Sequence, residues 1–336
     1  MTGEKVGENR SEEGGNRLVI AGRAIAPGRR YRLEIPVASL PTQTLLSLPV
    51  IVINGCEPGP RLWLSAAIHG DEINGVEIIH QVLQHVRPEN LRGTLIAVPI
   101  VNVFGFIAQS RYLPDRRDLN RCFPGSPTGS LASRLAHLFM TEVVRHSTHG
   151  IDLHTASDRR TNLPQIRANI EDEETHRCAR AFSAPVTLHA TIRDGSLRQA
   201  AAQRNIPTLL YEAGEILRFD PESIRIGVEG ILRVMAHLQM HDSFILSTPV
   251  STVEIVASKW IRASRSGILH VKVALGERVQ KKQLLGKITD AFSERTTHVR
   301  APFVGIVIGF CHNPLVNQGD GVFHLGAIGS TEKAME

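Results

Sequence analysis

His69, Asp71 and Glu72 fall within four residues of the stretch "LSAAIHGDEINGVEIIHQVL", between an apolar run and an amphipathic one. An imidazole and a carboxylate three residues apart on one loop can reach a common point. A metal ion that keeps a coordination position open for chemistry needs two or three such donors. Alone the pair is more often a surface loop or a helix cap than a metal site, so a third donor is required. His154 in "GIDLHTA" is the candidate. Strand alternation puts Asp152 and His154 on one face and Ile151 and Leu153 on the other. A strand-end histidine is commonly no more than a hydrogen-bonded residue, but this one closes a second strand on the rim where His69 is expected. Two histidines and a carboxylate, with one pair close in sequence and the third donor distant, match a catalytic His/Glu/His set whose fourth position is left for water.

These donors converge only if strands end side by side, and the surrounding pattern supplies such strands. "RLWLSAAI" is a short apolar run, followed by a helix with Val76, Ile79, Leu83 and Val86 at helical spacing. "TLIAVPIVN" is the next strand, and Leu131, Leu135, Leu138 and Phe139 mark a helix before "GIDLHTA". A helix at "EDEETHRCARAFSA", a strand at "PVTLHA", a helix near "LRQAAAQRN" and a strand at "IPTLLYEA" come next. A long helix then carries Ile224, Val228, Ile231, Met235 and Leu238 on one face. The alternation predicts an α/β fold, a mainly parallel mixed sheet with helices on both faces, whose ligands gather at the carboxyl ends of the strands.

Residues 1–16 read as a disordered tail, too charged and glycine-rich to bury anything. The catalytic domain is expected over 17–247, opening with the β segments "LVIAGRAI", "YRLEIPV" and "LPVIVING". From 248 to 330 helical periodicity disappears, and short strands with regular glycines predict a small all-β domain. Within it "GERVQKKQLLGKI" resembles the hammerhead of biotinyl and lipoyl carrier domains, but the following turn, "TDAFSERTTHV", has no lysine to modify. No swinging cofactor is expected there.

The composition narrows the partners. In 336 residues, 42% hydrophobic and 21% charged, the formal charge of +5 is spread along the chain. That argues against nucleic acid and for a small anionic substrate. Cys56, Cys122, Cys178 and Cys311 lie far apart, which suits neither a disulfide framework nor a structural zinc site. With no signal-peptide core and no run of membrane-spanning length, a cytoplasmic protein without a membrane partner is expected; assembly into a homo-oligomer is left open.

Four motifs in order, "HGDEINGVE", "RYLPDRRDLNRCFPG", "IDLHTA" and "LLYEAGE", resemble the succinylglutamate desuccinylase and aspartoacylase family of the zinc carboxypeptidase superfamily. The resemblance spans about Leu62 to Gly214. It implies one Zn2+ per chain on His69, Glu72 and His154, with Glu212 as general base and Arg111 polarising the scissile carbonyl. Asn120 and Arg121 would clamp a substrate carboxylate, a task for which a planar guanidinium suits better than an ammonium. Glu215 is the competing base, and Asp118 and Asp152 are expected to orient ligands. The implied activity is that of a zinc-dependent amidohydrolase acting on an N-acyl amino acid or related N-acyl amine. The alternatives are a carboxypeptidase acting on a peptide or cell-wall fragment, and a binding protein that keeps the fold without catalysis.

Overall fold

The computed structural model describes residues 18–190, 194–241 and 248–328. The expected tail lies outside them, as does the segment 242–247, where the expected domain boundary falls. The chain opens with β1 (Leu18–Ile20), β2 (Arg23–Ile25), β3 (Arg29–Ser39), β4 (Leu45–Asn54) and β5 (Glu57–Ala66). There follow α1 (Asn74–His85), β6 (Arg92–Val98), α2 (Val103–Ile107), α3 (Leu131–Glu142), β7 (His149–His154) and β8 (Arg160–Ala168). Next are α4 (Glu173–Phe182), β9 (Val186–His189), α5 (Leu197–Ala202), β10 (Thr208–Gly214) and α6 (Pro221–His237). The C-terminal strands are β11 (Val253–Ile255), β12 (Ser258–Arg262), β13 (Gly267–Val271), β14 (Arg278–Val279) and β15 (Leu284–Thr289). They continue with β16 (Thr296–Arg300), β17 (Gly305–Cys311), β18 (Leu315–Val316) and β19 (Gly321–Ala327).

One large sheet runs β12-β19-β17-β8-β10-β7-β5-β6-β4-β3. Its centre is parallel, through β6–β5, β5–β7 and β7–β10, and so β5, β7 and β10 end at the same rim. The expectation of a mainly parallel sheet is corrected outside this centre. The β3–β4 hairpin adds antiparallel strands at one edge, and β8 turns back antiparallel against β10. Helices cover both faces. α1, α4 and α6 enclose Leu64, Ile79, Val82, Phe182, Tyr211 and Ile231 on one side, and α3 and α5 enclose Trp63, Ile96, Leu135, Phe139 and Leu197 on the other. Burying such side chains is worth about 1.5–3 kcal/mol each. This is what fixes the strand ends that the site requires. Among the described residues no helix is long and apolar enough to cross a membrane.

The C-terminal strands form a four-stranded sheet, β16-β15-β13-β18, and also extend the central one. Cys311, Phe310 and Gly309 of β17 pair with Arg160, Thr161 and Asn162 of β8, and β11 pairs with β9. Between the two parts lie Val186, Leu188, Ile255, Ile306 and Ile308, all buried.

β8 was not foreseen, and Pro164 within "RTNLPQIRA" runs against an interior strand. The structure resolves the conflict. Along one edge of β8 the ladder to β17 ends at Asn162 and the ladder to β9 begins at Gln165, while the opposite ladder, to β10, is irregular between Glu212 and Gly214. Pro164 sits where an N–H has no ladder partner to lose.

Candidate metal centre and active site

β5 stops at Ala66, and the next residues are held in place by backbone bonds. Val101 and Asn102 donate to the carbonyls of Ala66 and Ala67, and Gly70 donates to that of Ser110 at 3.0 Å. A Cβ on Gly70 would stand 1.9 Å from the carbonyl carbon of Gly105, so only glycine lets the two loops approach this closely. Asn74, at the start of α1, ties this turn to β10 by donating to the Ala213 carbonyl and accepting from the Asp220 N–H.

The result is a convergence of buried donors. His69 Nδ1 lies 2.7 Å from Glu72 Oε1, and His154 Nδ1 lies 2.7 Å from Glu72 Oε2. The far nitrogen of each ring meets a second carboxylate, His69 Nε2 with Asp118 at 3.1 Å and His154 Nε2 with Asp152 at 2.8 Å. A neutral imidazole has one N–H and one lone pair and cannot donate to carboxylates on both sides. If Nε2 donates outward, the Nδ1 lone pairs face the Glu72 oxygens, an arrangement that a cation among them would relieve. His69, Glu72 and His154, whose donor atoms lie within 4.8 Å of one another, could therefore hold a metal ion. The carboxylates that meet these far nitrogens are Asp118 and Asp152, the two expected to orient ligands.

The electrostatics agree with that geometry. Burial works against protonation of His69 and His154, but the carboxylates around them outweigh it and raise both pKa values. Burial would push Glu72 up, yet the two imidazoles hold it well below the usual carboxylate range. Asp118 is likewise lowered against burial by His69 and Arg111.

Arg111 reaches into the same cluster, with Nη1 3.2 Å from Glu72 and Nη2 2.9 Å from Asp118. Glu212 stands opposite His154 in the β10–β7 register and forms an ion pair with Arg167 of β8. Glu215 instead faces Arg218 and His312. Asn120 is buried, and its Oδ1 accepts from the Leu197 N–H at 2.9 Å, so the short turn Leu119–Arg121 is locked to the start of α5. All seven residues singled out from the sequence, His69, Glu72, Arg111, Asn120, Arg121, His154 and Glu212, line one cavity of about 570 Å³.

Sequence reasoning missed the other wall. Arg160, Asn162 and Arg167 come from β8, and Ser258, Trp260 and His324 come from the C-terminal strands. No motif marks them; the one signal available was a tryptophan, a rare residue in this chain, next to a basic strand.

Residues 58–238 match the model of the succinylglutamate desuccinylase/aspartoacylase catalytic domain. An N-alpha-acetyl-L-2,4-diaminobutyric acid deacetylase of Halomonas elongata is 28% identical over 286 residues, which is 81% of this chain and 83% of the relative. The crystal structure of a succinylglutamate desuccinylase/aspartoacylase from Rhodobacter sphaeroides is similar with a TM-score of 0.78 at 26% identity, over 89% of this chain and 96% of that one. The product-bound ectoine utilization protein EutE (DoeB) of Ruegeria pomeroyi gives a TM-score of 0.80 at 25% identity, over 90% of this chain and 97% of that one. The matched segment contains the whole imidazole–carboxylate cluster together with Glu212, and by that match the chain belongs to the succinylglutamate desuccinylase/aspartoacylase family.

Proposed function

We propose that the protein is a zinc-dependent deacylase that hydrolyses the amide bond of a small anionic N-acyl amino acid. The observation that carries this reading is the pair of imidazoles aimed at Glu72 and braced from behind by Asp118 and Asp152. Two nitrogens and a carboxylate are the donor set of catalytic zinc, which supplies a Lewis acid and a water of lowered pKa. Glu212 removes the proton from the attacking water and delivers it to the departing amine. Arg167 pairs with Glu212 and holds it in place. Arg111 donates to the carbonyl oxygen as negative charge develops on it. Arg121 and Asn120 receive the α-carboxylate of the amino acid.

A cavity of about 570 Å³, bounded on one side by the C-terminal strands, suits a small substrate better than a peptide. We read those strands as a hammerhead-like unit whose turn, Asp290 to Arg295, presents an exposed Phe292 and no lysine. The curated Halomonas relative, described as a deacetylase of an acetylated amino acid, makes acetyl compounds the first to test. The test is a hydrolysis screen of the zinc-loaded protein against acetyl, succinyl and formyl derivatives of a panel of amino acids, with a set of peptides alongside. Release of free amino acid is the expected result. Cleavage of peptides alone would move the protein to the carboxypeptidases, and full zinc with no turnover of either set would favour a binding protein.

A further inference from the structure

Apart from Arg167, which pairs with Glu212, the cavity wall built by β8 and the C-terminal strands has no task in that scheme. There the Arg160 guanidinium lies over the Trp260 ring, 4.5 Å from its centroid. Trp260 in turn stacks on His324, with centroids 4.7 Å apart and planes inclined by 10°. The sheet brings these three side chains together. Trp260 pairs with His324 across β12–β19, β19 pairs with β17, and Cys311 of β17 pairs with Arg160.

The stack carries one positive charge. Burial, assisted by Arg167 and Arg160, pushes His324 down to about 3, so its imidazole is neutral, and its Nε2 meets Ser258 Oγ at 2.9 Å. Arg111 and Arg167 are matched by carboxylates, Arg111 by Glu72 and Asp118 and Arg167 by Glu212. Among the described residues Arg160 meets none, and its polar contact is a long one, 3.5 Å to Ser157 Oγ. A guanidinium with one face on an indole keeps its in-plane N–H donors available and is restrained in orientation. Lining a partly enclosed cavity, such donors call for an anion.

We propose that Arg160, held by Trp260, is a specificity-determining residue that receives a second carboxylate of the substrate, separate from the α-carboxylate assigned to Arg121 and Asn120. The carboxylate belongs either to the amino-acid side chain or to the far end of the acyl chain. The C-terminal strands thus help to choose the substrate, and a side chain ending in an ammonium group is disfavoured. The inference rests on the deacylase reading above.

The experiment compares matched pairs on the zinc-loaded full-length protein. N-acetylglutamate against N-acetylglutamine probes the side chain, N-succinylalanine against its terminal amide probes the acyl end, and N-acetyl-2,4-diaminobutyrate probes the opposite charge. At least a tenfold preference in kcat/KM for the anion is expected in one pair, and that pair identifies which carboxylate is read. Arg160→Gln should bring the ratio close to one, Arg160→Lys should restore part of it, and Trp260→Leu should lower it through KM. A residue that only braced the two parts would shift the melting temperature and leave the ratio alone. Equal efficiencies in both wild-type pairs, or a ratio unchanged in Arg160→Gln, would overturn the proposal. Calorimetric binding of glutamate against glutamine, and of succinate against succinamate, reads the same preference without turnover. Failure of the deacylase reading is therefore distinguishable from failure of this one.

Discussion

Asp152 offers a perturbation that changes charge and almost nothing else. Its Oδ2 lies 2.8 Å from His154 Nε2, and its Oδ1 accepts from Ser65 Oγ at 2.8 Å. Ser65 Oγ in turn accepts from Trp63 Nε1 at 3.3 Å, and Ser65 pairs with Asp152 in the β5–β7 register. Trp63, Ser65 and Asp152 are all buried. Asp152→Asn keeps the shape. With the amide oxygen turned to His154, the amide nitrogen meets the Ser65 hydroxyl, which can accept as well as donate. Folding then loses the difference between a charged and a neutral hydrogen bond and leaves the buried Ser65 O–H without its acceptor, about 1–3 kcal/mol together. Metal affinity is weakened separately, because a carboxylate behind a ligating histidine raises its basicity and fixes its orientation. Removing such a partner typically weakens binding by about 10–100-fold, or roughly 1.4–2.7 kcal/mol. The assay is a competition titration of zinc against a chromophoric chelator, with Ser65→Ala as the control that removes only the outer link and should weaken binding less. A folded Asp152→Asn protein with wild-type zinc affinity would refute the assignment of His154 as a braced ligand.

Three further outcomes follow from the same geometry. Glu212→Gln should keep its zinc by elemental analysis while turnover falls by about 10²-fold or more, and Glu215→Gln should stay active; the reverse pattern would show that the wrong carboxylate was chosen. Converting each N-acyl amino acid to its C-terminal amide should cut kcat/KM by at least tenfold in the wild type and much less in Arg121→Gln, and equal efficiencies for acid and amide would remove the carboxylate clamp. His324 binds its proton near pH 3 when folded and near its ordinary 6.5 when unfolded, so the unfolded state takes up the extra proton between those values. Stability is then lost as pH falls from 6.5 towards 3, and urea unfolding across that window should show a flatter pH dependence in His324→Gln; an unchanged slope would contradict it.

The sequence was most informative where chemistry and chain direction coincide. His69 with Glu72, and Asp152 with His154, are close pairs at the ends of parallel strands, so spacing and alternation sufficed to bring them together. The helices α1, α3 and α6 were legible through their apolar faces, although Val86 falls just beyond α1 while remaining buried. Arg167 and Arg160 lie on β8, for which no strand was expected; whether Pro164 can be tolerated there depends on which neighbour each edge has at that residue. Trp260 and His324 escaped for a related reason. Their place in the cavity depends on the pairing of β17 with β8, between segments about 150 residues apart, and periodicity contains no information on register between them.

That ladder also sets how the protein can be cut. A fragment ending near residue 248 would lose β17 and β11 together, leaving the edges of β8 and β9 without partners and Val186 and Leu188 without their cover. An unpaired, apolar sheet edge is a template for self-association, so the isolated catalytic portion should be prone to aggregation. For the same reason, a hybrid that borrows a relative's C-terminal strands must keep the β8–β17 seam matched, and it would replace Trp260 and His324 while keeping Arg160.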